Sequence, residues 1–429
     1  MGKYLKILIC FIVVDFFYFS TQLWFTHGLN TKELMAVVGV VLFVSDLYRQ
    51  KKLAVTNEFI GLLIYSGLIS LLAVFSAIIH NTQERSYTTY FLSMLVWLSA
   101  GYVVVRCIKA VHGKVSIELL ANYIIAVSVV QGLIAVIADN YAPLDNLIIS
   151  AVPGIAWGKT VNRLYGFGQM ASMDSGGIRF AIASVLCAHN LKNLAQEDRT
   201  KGIPLLVLCF LILTFTGNLV ARTTLVGTGI GLAYLLIYIS PFKTSISSST
   251  FKVWLWLIVE VLIGFTFVAA LYNTNEQVHY RIRFGFEGFF SLVEKGHWQT
   301  GSNDVLADMY VFPDNAQTWI FGDGYFVHPS DDLNFLGELY YGYYMNTDVG
   351  YLRFIFFFGL IGLAVYSMYI IYAGRVCNRM FPGNLLLFMA LTSMNFVIWF
   401  KVATDCFFIL AIFICLGYVR DNSPEQIEE

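Results

Sequence analysis

Long apolar runs, separated by short polar stretches, recur along the whole of this 429-residue sequence. Many of the runs are about 17 to 25 residues long, which is the length that an α-helix needs to cross a hydrocarbon layer about 30 Å thick. The pattern predicts an all-α polytopic membrane protein with about twelve transmembrane helices. The predicted spans are Lys6–Phe25, Glu33–Tyr48, Asn57–Ile79, Thr88–Arg106, Ser116–Ala138, Gly176–Leu191, Ile203–Leu219, Thr224–Ile239, Val253–Tyr272, Val349–Tyr372, Asn384–Phe400 and Ala403–Tyr418.

Composition agrees with a protein whose main solvent is the bilayer. The chain is 58% hydrophobic and only 13% charged, against about 25% charged residues in an average soluble domain. Its formal net charge is -1, so it lacks the concentrated basic face that nucleic-acid binding requires. We therefore expect membrane lipid around the protein and no nucleic-acid partner.

Basic residues in short loops predict the orientation, because Lys and Arg are retained on the cytoplasmic side. Assigning the basic clusters to that side places both termini in the cytoplasm and three notable segments outside: 140–175, the turn around Arg222, and 273–348. We expect these three segments to meet in space. The chain is accordingly predicted to comprise helices one to nine with the outer loop 140–175 (1–272), a large outer loop (273–348), and helices ten to twelve with a cytoplasmic tail (349–429). The basic clusters are Lys3/Lys6, Arg49/Lys51/Lys52, Arg106/Lys109/Lys114, Lys192/Arg199/Lys201, Lys243/Lys252, Arg375/Arg379 and Arg420.

The large outer loop is acidic and rich in aromatic residues. It contains eleven acids, three Lys or Arg residues and seventeen Phe, Trp or Tyr residues. A disordered linker would be poor in aromatics. Helical patterns around Gly285–Val293 and Asn303–Tyr310 predict a folded, partly helical cap over the membrane face.

Six arginines fall in the outer loops or at the outer ends of spans, where the positive-inside tendency makes them notable. A guanidinium is always charged, and its planar fork of donors matches phosphate oxygens. A converging set of these arginines would therefore form a site for a phosphate or diphosphate near the bilayer surface. The six are Arg163, Arg179, Arg222, Arg281, Arg283 and Arg353.

Four of these arginines also have a purely structural interpretation. Arg179 is as suited to pairing with Asp174 as to binding a ligand, and Arg353 is placed where a side chain can snorkel to the interface. Arg281 and Arg283 are more typical of partners for the loop's own carboxylates. Arg163 and Arg222 have no acid nearby in the sequence, so they are the stronger candidates.

Asp348 and His328 are the candidate catalytic residues. Asp348 precedes the tenth span and is placed to act as a base toward an acceptor, or alternatively as a helix cap. His328 is a candidate because a histidine side chain can exchange a proton in catalysis, or alternatively it is an ordinary exposed loop histidine.

Several acids lie in or beside apolar spans, namely Asp15, Glu260 and Asp405 with its neighbour Lys401. They are functional candidates by position, and pairing within the helix bundle explains them equally well. The sequence has no phosphate-cradling glycine loop, metal-ligand cluster or nucleophilic triad. We predict no cofactor and no metal, and ATP as an energy source is not supported.

Three segments together resemble the bacterial polysaccharide polymerase and O-antigen ligase superfamily, the Wzy and WaaL type of membrane glycosyltransferase. The segments are Arg163-Leu-Tyr-Gly-Phe-Gly, Gly217-Asn-Leu-Val-Ala-Arg222-Thr-Thr, and Phe321-Gly-Asp-Gly-Tyr325 followed by Thr347-Asp-Val-Gly-Tyr-Leu-Arg353-Phe-Ile-Phe-Phe-Phe-Gly-Leu-Ile-Gly362. The resemblance covers roughly residues 120–375. It implies a GT-C-like fold in the bacterial inner membrane with a periplasmic active face.

The resemblance also implies a substrate and a reaction. Outward arginines of the family engage the diphosphate of an undecaprenyl-linked glycan, and Arg163 and Arg222 match them. Ligases of the family have a histidine at the head of the helix after the large loop, whereas this chain has Asp348, which favours a polymerase. The implied chemistry is inverting, metal-independent glycosyl transfer, with a chain-length regulator as a possible partner.

Aromatic residues of the outer loop are candidates for contacts with sugar rings, or alternatively for the loop's own core. The candidates are Trp298, Trp319, Tyr325 and Tyr340. Two other functions stay open at this point. One is an O-antigen ligase that transfers finished glycan to lipid A core, and the other is a flippase or transporter for lipid-linked oligosaccharides.

Overall fold

The structure is a computed structural model that describes residues 2–22, 28–50, 56–151, 163–170, 173–242, 245–329 and 342–421, without the side chains of the last residues of two helices, 49–50 and 421. Over these residues every named element is a helix, and β-pairing is limited to isolated bridges. The α-helices are α1 (Lys3–Tyr18), α2 (Thr31–Gln50), α3 (Asn57–Ile79), α4 (Tyr90–His112), α5 (Ile117–Asn140), α6 (Ala142–Ala151), α7 (Met173–Gln196), α8 (Ile203–Val220), α9 (Thr224–Tyr238), α10 (Ser248–Thr274), α11 (Glu276–Gly285), α12 (Glu287–Lys295), α13 (Gly301–Asp308), α14 (Ala316–Phe321), α15 (Gly350–Met380), α16 (Leu385–Ile398) and α17 (Phe407–Asp421).

A helix lies at each of the twelve predicted span positions, and six of these helices are long and apolar enough to cross a membrane. Three shorter apolar helices, at α9, α16 and α17, fall below that length. The chain is therefore an α-helical protein with several candidate membrane spans. The six longer helices are α3, α4, α5, α8, α10 and α15.

Some predicted span ends were wrong. The first helix begins at Lys3 and ends at Tyr18, short of the predicted end, and Gln22 beyond it forms an antiparallel bridge with Asn30. The last helix begins at Phe407 rather than at Ala403, and just before it Asp405 Oδ1 accepts a hydrogen bond from the Phe407 amide (2.7 Å).

The helical patterns predicted in the large loop are confirmed, because α12 and α13 coincide with them. Two further short helices, α11 and α14, belong to the same stretch. The segment 330–341, which includes Tyr340, lies outside the described residues.

The chain divides into two compact units, and the division falls inside the large loop, between Trp298 and Gln299. The first unit contains Met1–Met35 and Val103–Trp298, and the second contains Ala36–Tyr102 and Gln299–Asp421. In the first unit α7 packs against α5, α8 and α9, and it is buried along almost its whole length. Small residues allow this close packing, as where a Cβ on Gly227 would overlap the Ala181 backbone.

The second unit is built around α15, which packs against α3, α14, α16 and α17. This helix is interrupted at Phe358 and Gly359, where Gly359 has a φ of 67°. An interruption frees carbonyl groups, and unsatisfied carbonyls are costly in a bilayer. The stretch around α14 supplies partners for them: the amides of Asp323 and Gly324 donate to the carbonyls of Phe356 (2.6 Å) and Phe357 (3.2 Å).

Candidate functional site

Arg163 and Arg222 converge on one aromatic ring in the first unit. Their guanidinium carbons lie 5.2 Å and 5.5 Å from the centroid of the Phe284 ring. Arg163 precedes α7, Arg222 lies in the turn between α8 and α9, and Phe284 is near the end of α11. Parts of the three outer segments therefore meet in space, as predicted. We refer to Arg163 and Arg222 below as the arginine pair.

Backbone contacts hold the arginine pair in place. Arg163 Nη1 donates to the carbonyl of Val220 (3.3 Å), and Arg222 Nη2 donates to the carbonyl of Phe284 (2.8 Å). The amide of Leu164 also donates to the carbonyl of Leu219 (3.2 Å), which fixes the chain beside Arg163 against the end of α8. Each guanidinium is thus tied to a different chain segment, and the two cannot separate without breaking these bonds.

The corner between α11 and α12 is attached to the same place. Asn218 Nδ2 donates to the carbonyl of Gly285 (2.8 Å), and the rings of Phe215 and Phe286 stack with their centroids 5.6 Å apart. Asn218 is completely buried, so the hydrogen bond that its side-chain amide donates is strengthened by the low dielectric around it. The site is therefore supported by a rigid polar and aromatic contact rather than by a free loop.

Arg222 has no acid nearby in the sequence, but it has one in the folded chain. Its Nη2 lies 2.6 Å from Glu287 Oε2, and the two side chains are 11% and 40% exposed, respectively. Burial and, next, the positive charge of Arg222 lower the pKa of the Arg163 guanidinium below its ordinary value. The pair is thus a concentrated positive site that Glu287 partly neutralises.

The other predicted arginines of the first unit have structural contacts. Arg283 pairs with Glu294 in the loop (2.9 Å), as predicted, whereas Arg281 pairs with Asp139 at the end of α5 (2.7 Å). Arg179 is 4% exposed and donates to the backbone carbonyl of Tyr18 and to the carbonyl and hydroxyl of Ser175. These bonds connect α1 to the start of α7, so Arg179 is explained without a ligand.

Arg353 belongs to a separate cluster in the second unit. Its guanidinium carbon lies 3.9 Å from the centroid of the Phe326 ring and 3.4 Å from that of Tyr343. The side chain is 4% exposed, so the snorkelling interpretation was wrong. Within the described part of the chain, the buried Nε has no hydrogen-bond partner, and Nη2 makes a long bond of 3.4 Å to the Phe326 carbonyl.

The backbone beside Arg353 is held by Glu84. Glu84 Oε2 accepts hydrogen bonds from the amides of Phe326 (3.2 Å) and Val327 (2.9 Å). The next amide, that of His328, donates to the carbonyl of Gly342 (3.0 Å) beside the bridge between Val327 and Tyr343. A carboxylate therefore fixes the short extended segment whose Phe326 ring packs against Arg353.

Two structural interpretations were wrong, namely that His328 is an exposed loop histidine and that Asp348 is a helix cap. His328 is 5% exposed and is therefore not an exposed loop histidine. The helix cap before α15 is Val349, with no side-chain cap, so Asp348 is not the cap. Asp348 is partly buried, and its negative charge acts on Arg353. Their proposed catalytic roles stay predictions.

Pairing within the bundle is confirmed for two of the acids that lie in or beside the predicted spans. Asp15 Oδ1 accepts a hydrogen bond from Gln131 Nε2 (2.8 Å) in the first unit. Asp405 Oδ2 accepts one from the Tyr90 hydroxyl (2.7 Å) in the second unit. Glu260 in α10 differs, since its Oε2 is buried and has no hydrogen-bond partner among the described residues.

The aromatic residues proposed to contact sugars mainly pack against neighbouring residues of the loop. Trp298 is 47% exposed and meets the Phe289 ring edge-on, while Trp319 stacks on Phe312 and donates its Nε1 hydrogen to the Pro313 carbonyl. The ring of Tyr325 lies 5.3 Å from that of Tyr344. These contacts favour the alternative in which the aromatics build the loop's own core.

Sequence reasoning missed Phe284, Glu287, Glu84 and Tyr343. Glu287 is 65 residues from Arg222, and Glu84 is 242 residues from Phe326, so no local spacing indicates either contact. The one available signal was the high aromatic content of the large loop, because arginine and aromatic faces attract one another.

Comparison of this chain with protein-family models, with curated proteins and with solved structures finds no match.

Proposed function

We propose that this chain is a polymerase that joins undecaprenyl-diphosphate-linked oligosaccharide units into O-antigen or capsular polysaccharide at the periplasmic face of a bacterial inner membrane. In this proposal the chain crosses the membrane about twelve times and has a GT-C-like architecture. One observation carries it: the guanidinium groups of Arg163 and Arg222, from separate segments, both lie over Phe284. Two fixed forks of donors suit a diphosphate better than a single point charge would.

The proposed reaction is an inverting glycosyl transfer. A hydroxyl oxygen of one lipid-linked unit bonds to the anomeric carbon of the growing glycan. The bond between that carbon and the diphosphate oxygen breaks, and its electron pair stays on the diphosphate. The arginine pair would stabilise this developing charge, which requires positioned donors rather than a cofactor. The acceptor hydroxyl's proton passes to a base, for which Asp348 is the candidate.

Alanine substitution of each member of the arginine pair tests the role of the diphosphate site. In a strain that lacks its own copy of the gene, we expect Arg163→Ala and Arg222→Ala to reduce a polymer ladder to single repeat units, a loss of about 100-fold or more. Arg283→Ala is the matched control, because Arg283 lies in the large loop and its pair with Glu294 is partly exposed. It should leave the ladder unchanged.

The amount of each variant in the membrane must be measured together with the polymer ladder. Membrane content and detergent-extracted size should match the wild type for all three variants. Wild-type chain lengths in both Arg163→Ala and Arg222→Ala would exclude the diphosphate role. Accumulation of intact lipid-linked polymer after gene deletion would instead indicate the ligase.

A flippase for lipid-linked oligosaccharides is the second candidate, and one observation favours it. Among the described residues, Glu260 in α10 carries a buried oxygen without a hydrogen-bond partner, and ionisable groups at membrane depth often serve transport. Glu260→Gln separates the two functions. A transporter should lose movement of the lipid-linked unit across the membrane, whereas a polymerase should keep its polymer ladder.

A further inference from the structure

Helix α12 presents an apolar face that the described residues of its own unit leave between 49% and 86% exposed. Val293 is 86% exposed, and Phe289 and Leu292 are each 49% exposed. These positions are three and four residues apart, so they share one side of the helix. Ser291, on the opposite side, is buried. A short helix with one face in the protein and one apolar face outward needs an apolar environment for the second face.

The charges of α12 are directed away from this face. Glu287 pairs with Arg222, and Glu294 pairs with Arg283. The guanidinium carbon of Arg283 lies 4.8 Å from the centroid of the Phe290 ring. Pairing reduces the cost of bringing these carboxylates close to an apolar phase.

Helix α12 lies beside a candidate membrane span, α10. Tyr272, at the end of α10, stacks on Phe290 of α12 with ring centroids 6.0 Å apart. Only 11% of the most apolar stretch of α10 is buried within the protein, and its Phe265 is 72% exposed. A single residue, Asn275, separates α10 from α11. The contact between Tyr272 and Phe290 therefore places α12 next to the end of α10.

We propose that α12 lies in the membrane interface, with Phe289, Leu292 and Val293 inserted among the lipid acyl chains at the end of α10 near Thr274. The partner is thus the lipid leaflet itself. Interfacial helices of this kind place their apolar face about 5–10 Å into the boundary between headgroups and acyl chains. Trp298, next to Phe289, is a residue type enriched at that level.

The position of α12 also fixes the depth of the arginine pair, because α12 begins at Glu287, which contacts Arg222. This second consequence rests on the proposed function: it holds both guanidinium groups at the level of lipid phosphates. The insertion of α12 itself requires only that α10 spans a membrane.

A depth measurement tests the insertion directly. The full chain carrying Val293→Cys is labelled with an environment-sensitive fluorophore and reconstituted in vesicles of phosphatidylethanolamine and phosphatidylglycerol. Phe267→Cys in α10 is the lipid-facing control, and Asp304→Cys, an exposed acid in α13, is the aqueous control. The protein without an added cysteine gives the background labelling.

We expect the label at position 293 to be quenched by lipids that carry a spin label near the headgroup, and to be several-fold less sensitive to aqueous iodide than the label at position 304. Iodide quenching equal to that at position 304 would overturn the proposal. Protection from both quenchers would also overturn it, because a second copy of the chain would then cover the face.

A second variant separates this inference from the proposed function. Val293→Asp should raise iodide quenching of a label placed at Leu292→Cys, because a charge opposes insertion. Binding of farnesyl diphosphate to the purified protein reports on the arginine pair independently. If the protein inserts α12 but does not bind farnesyl diphosphate, the proposed function alone is rejected. If it binds farnesyl diphosphate but does not insert α12, the interfacial position alone is rejected.

Discussion

At the scale of single residues, the ion pair between Arg222 and Glu287 determines how the arginine pair can respond to a ligand. Glu287 is partly exposed, so it can turn toward water when a diphosphate approaches Arg222. A diphosphate carries more negative charge than a carboxylate and offers more acceptor oxygens, so it should displace the glutamate. Glu287 is therefore a competitor for the position that the ligand would take.

Replacing this competitor should strengthen diphosphate binding. We expect Glu287→Gln to bind farnesyl diphosphate about fivefold more tightly, because about 1 kcal/mol of repulsion between carboxylate and diphosphate is removed. Titration calorimetry on the purified protein measures the effect. Glu294→Gln, whose acid pairs with Arg283, is the control and should bind as the wild type does. Weaker binding by Glu287→Gln would mean that the glutamate mainly orients Arg222.

Asp348 is the residue whose proposed role depends on basicity. Asp348→Asn keeps the shape of the side chain and removes its charge, so a general base should lose about 100-fold or more in polymerisation rate. The rate is measured from the lengths of lipid-linked product over time. Asp314→Asn, an exposed acid of the same loop, is the control and should be neutral. Near-normal turnover of Asp348→Asn would exclude it as the base.

At the scale of elements, the interruption of helix α15 is the feature whose stabilising contacts are clearest. Gly359 adopts a φ of 67°, and Gly322, which faces the break, has a φ of 78°. The Ser76 hydroxyl donates to the Phe357 carbonyl (2.6 Å), in addition to the amide of Gly324. The short motif around Gly322 thus has a physical purpose in this structure, since it supplies donors to the carbonyls that the break exposes.

Substitution at the break should destabilise the second unit. An alanine at Gly359 would take up a left-handed conformation, and its Cβ would overlap the Ile320 carbonyl, so we expect a loss of about 2 kcal/mol or more. Ser76→Ala should cost about 1 kcal/mol, because the Phe357 carbonyl keeps one donor. Thermal unfolding in detergent measures both.

Gly264→Ala provides the matched control for these variants. Gly264 lies in α10, where an added Cβ would meet nothing within 4 Å. A helical glycine of this kind should tolerate alanine or gain up to about 1 kcal/mol. Equal unfolding temperatures for Gly359→Ala and Gly264→Ala would contradict the role assigned to the break.

At the scale of the whole molecule, the predicted orientation is open to a direct test. We expect Asp314→Cys, in the large loop, to react with a membrane-impermeant maleimide in intact spheroplasts. Lys114→Cys, between α4 and α5, should react only after permeabilisation, because basic loops stay in the cytoplasm. Both native side chains are exposed, so accessibility reports the side of the membrane. Reaction in the opposite order would reverse the topology and place the large loop inside.

The helical class and the approximate positions of the helices followed from the sequence alone. A run such as Asn57–Ile79 can satisfy its backbone in lipid only as a helix, and this local requirement is visible in the residues themselves. The helices α12 and α13 were predicted for a similar reason, since their apolar spacing is local. The break in α15 was not predicted, because its stability depends on donors from residues far away in the chain.

The candidate site was determined only in part by the sequence. The charge and outward placement of Arg163 and Arg222 indicated a phosphate site, but their common contact with Phe284 and the pairing of Arg222 with Glu287 required the tertiary structure. Contacts between segments tens of residues apart leave no periodic trace in a single sequence. Local periodicity and charge therefore determined the class of protein and the candidate arginines, while long-range packing decided which side chains meet.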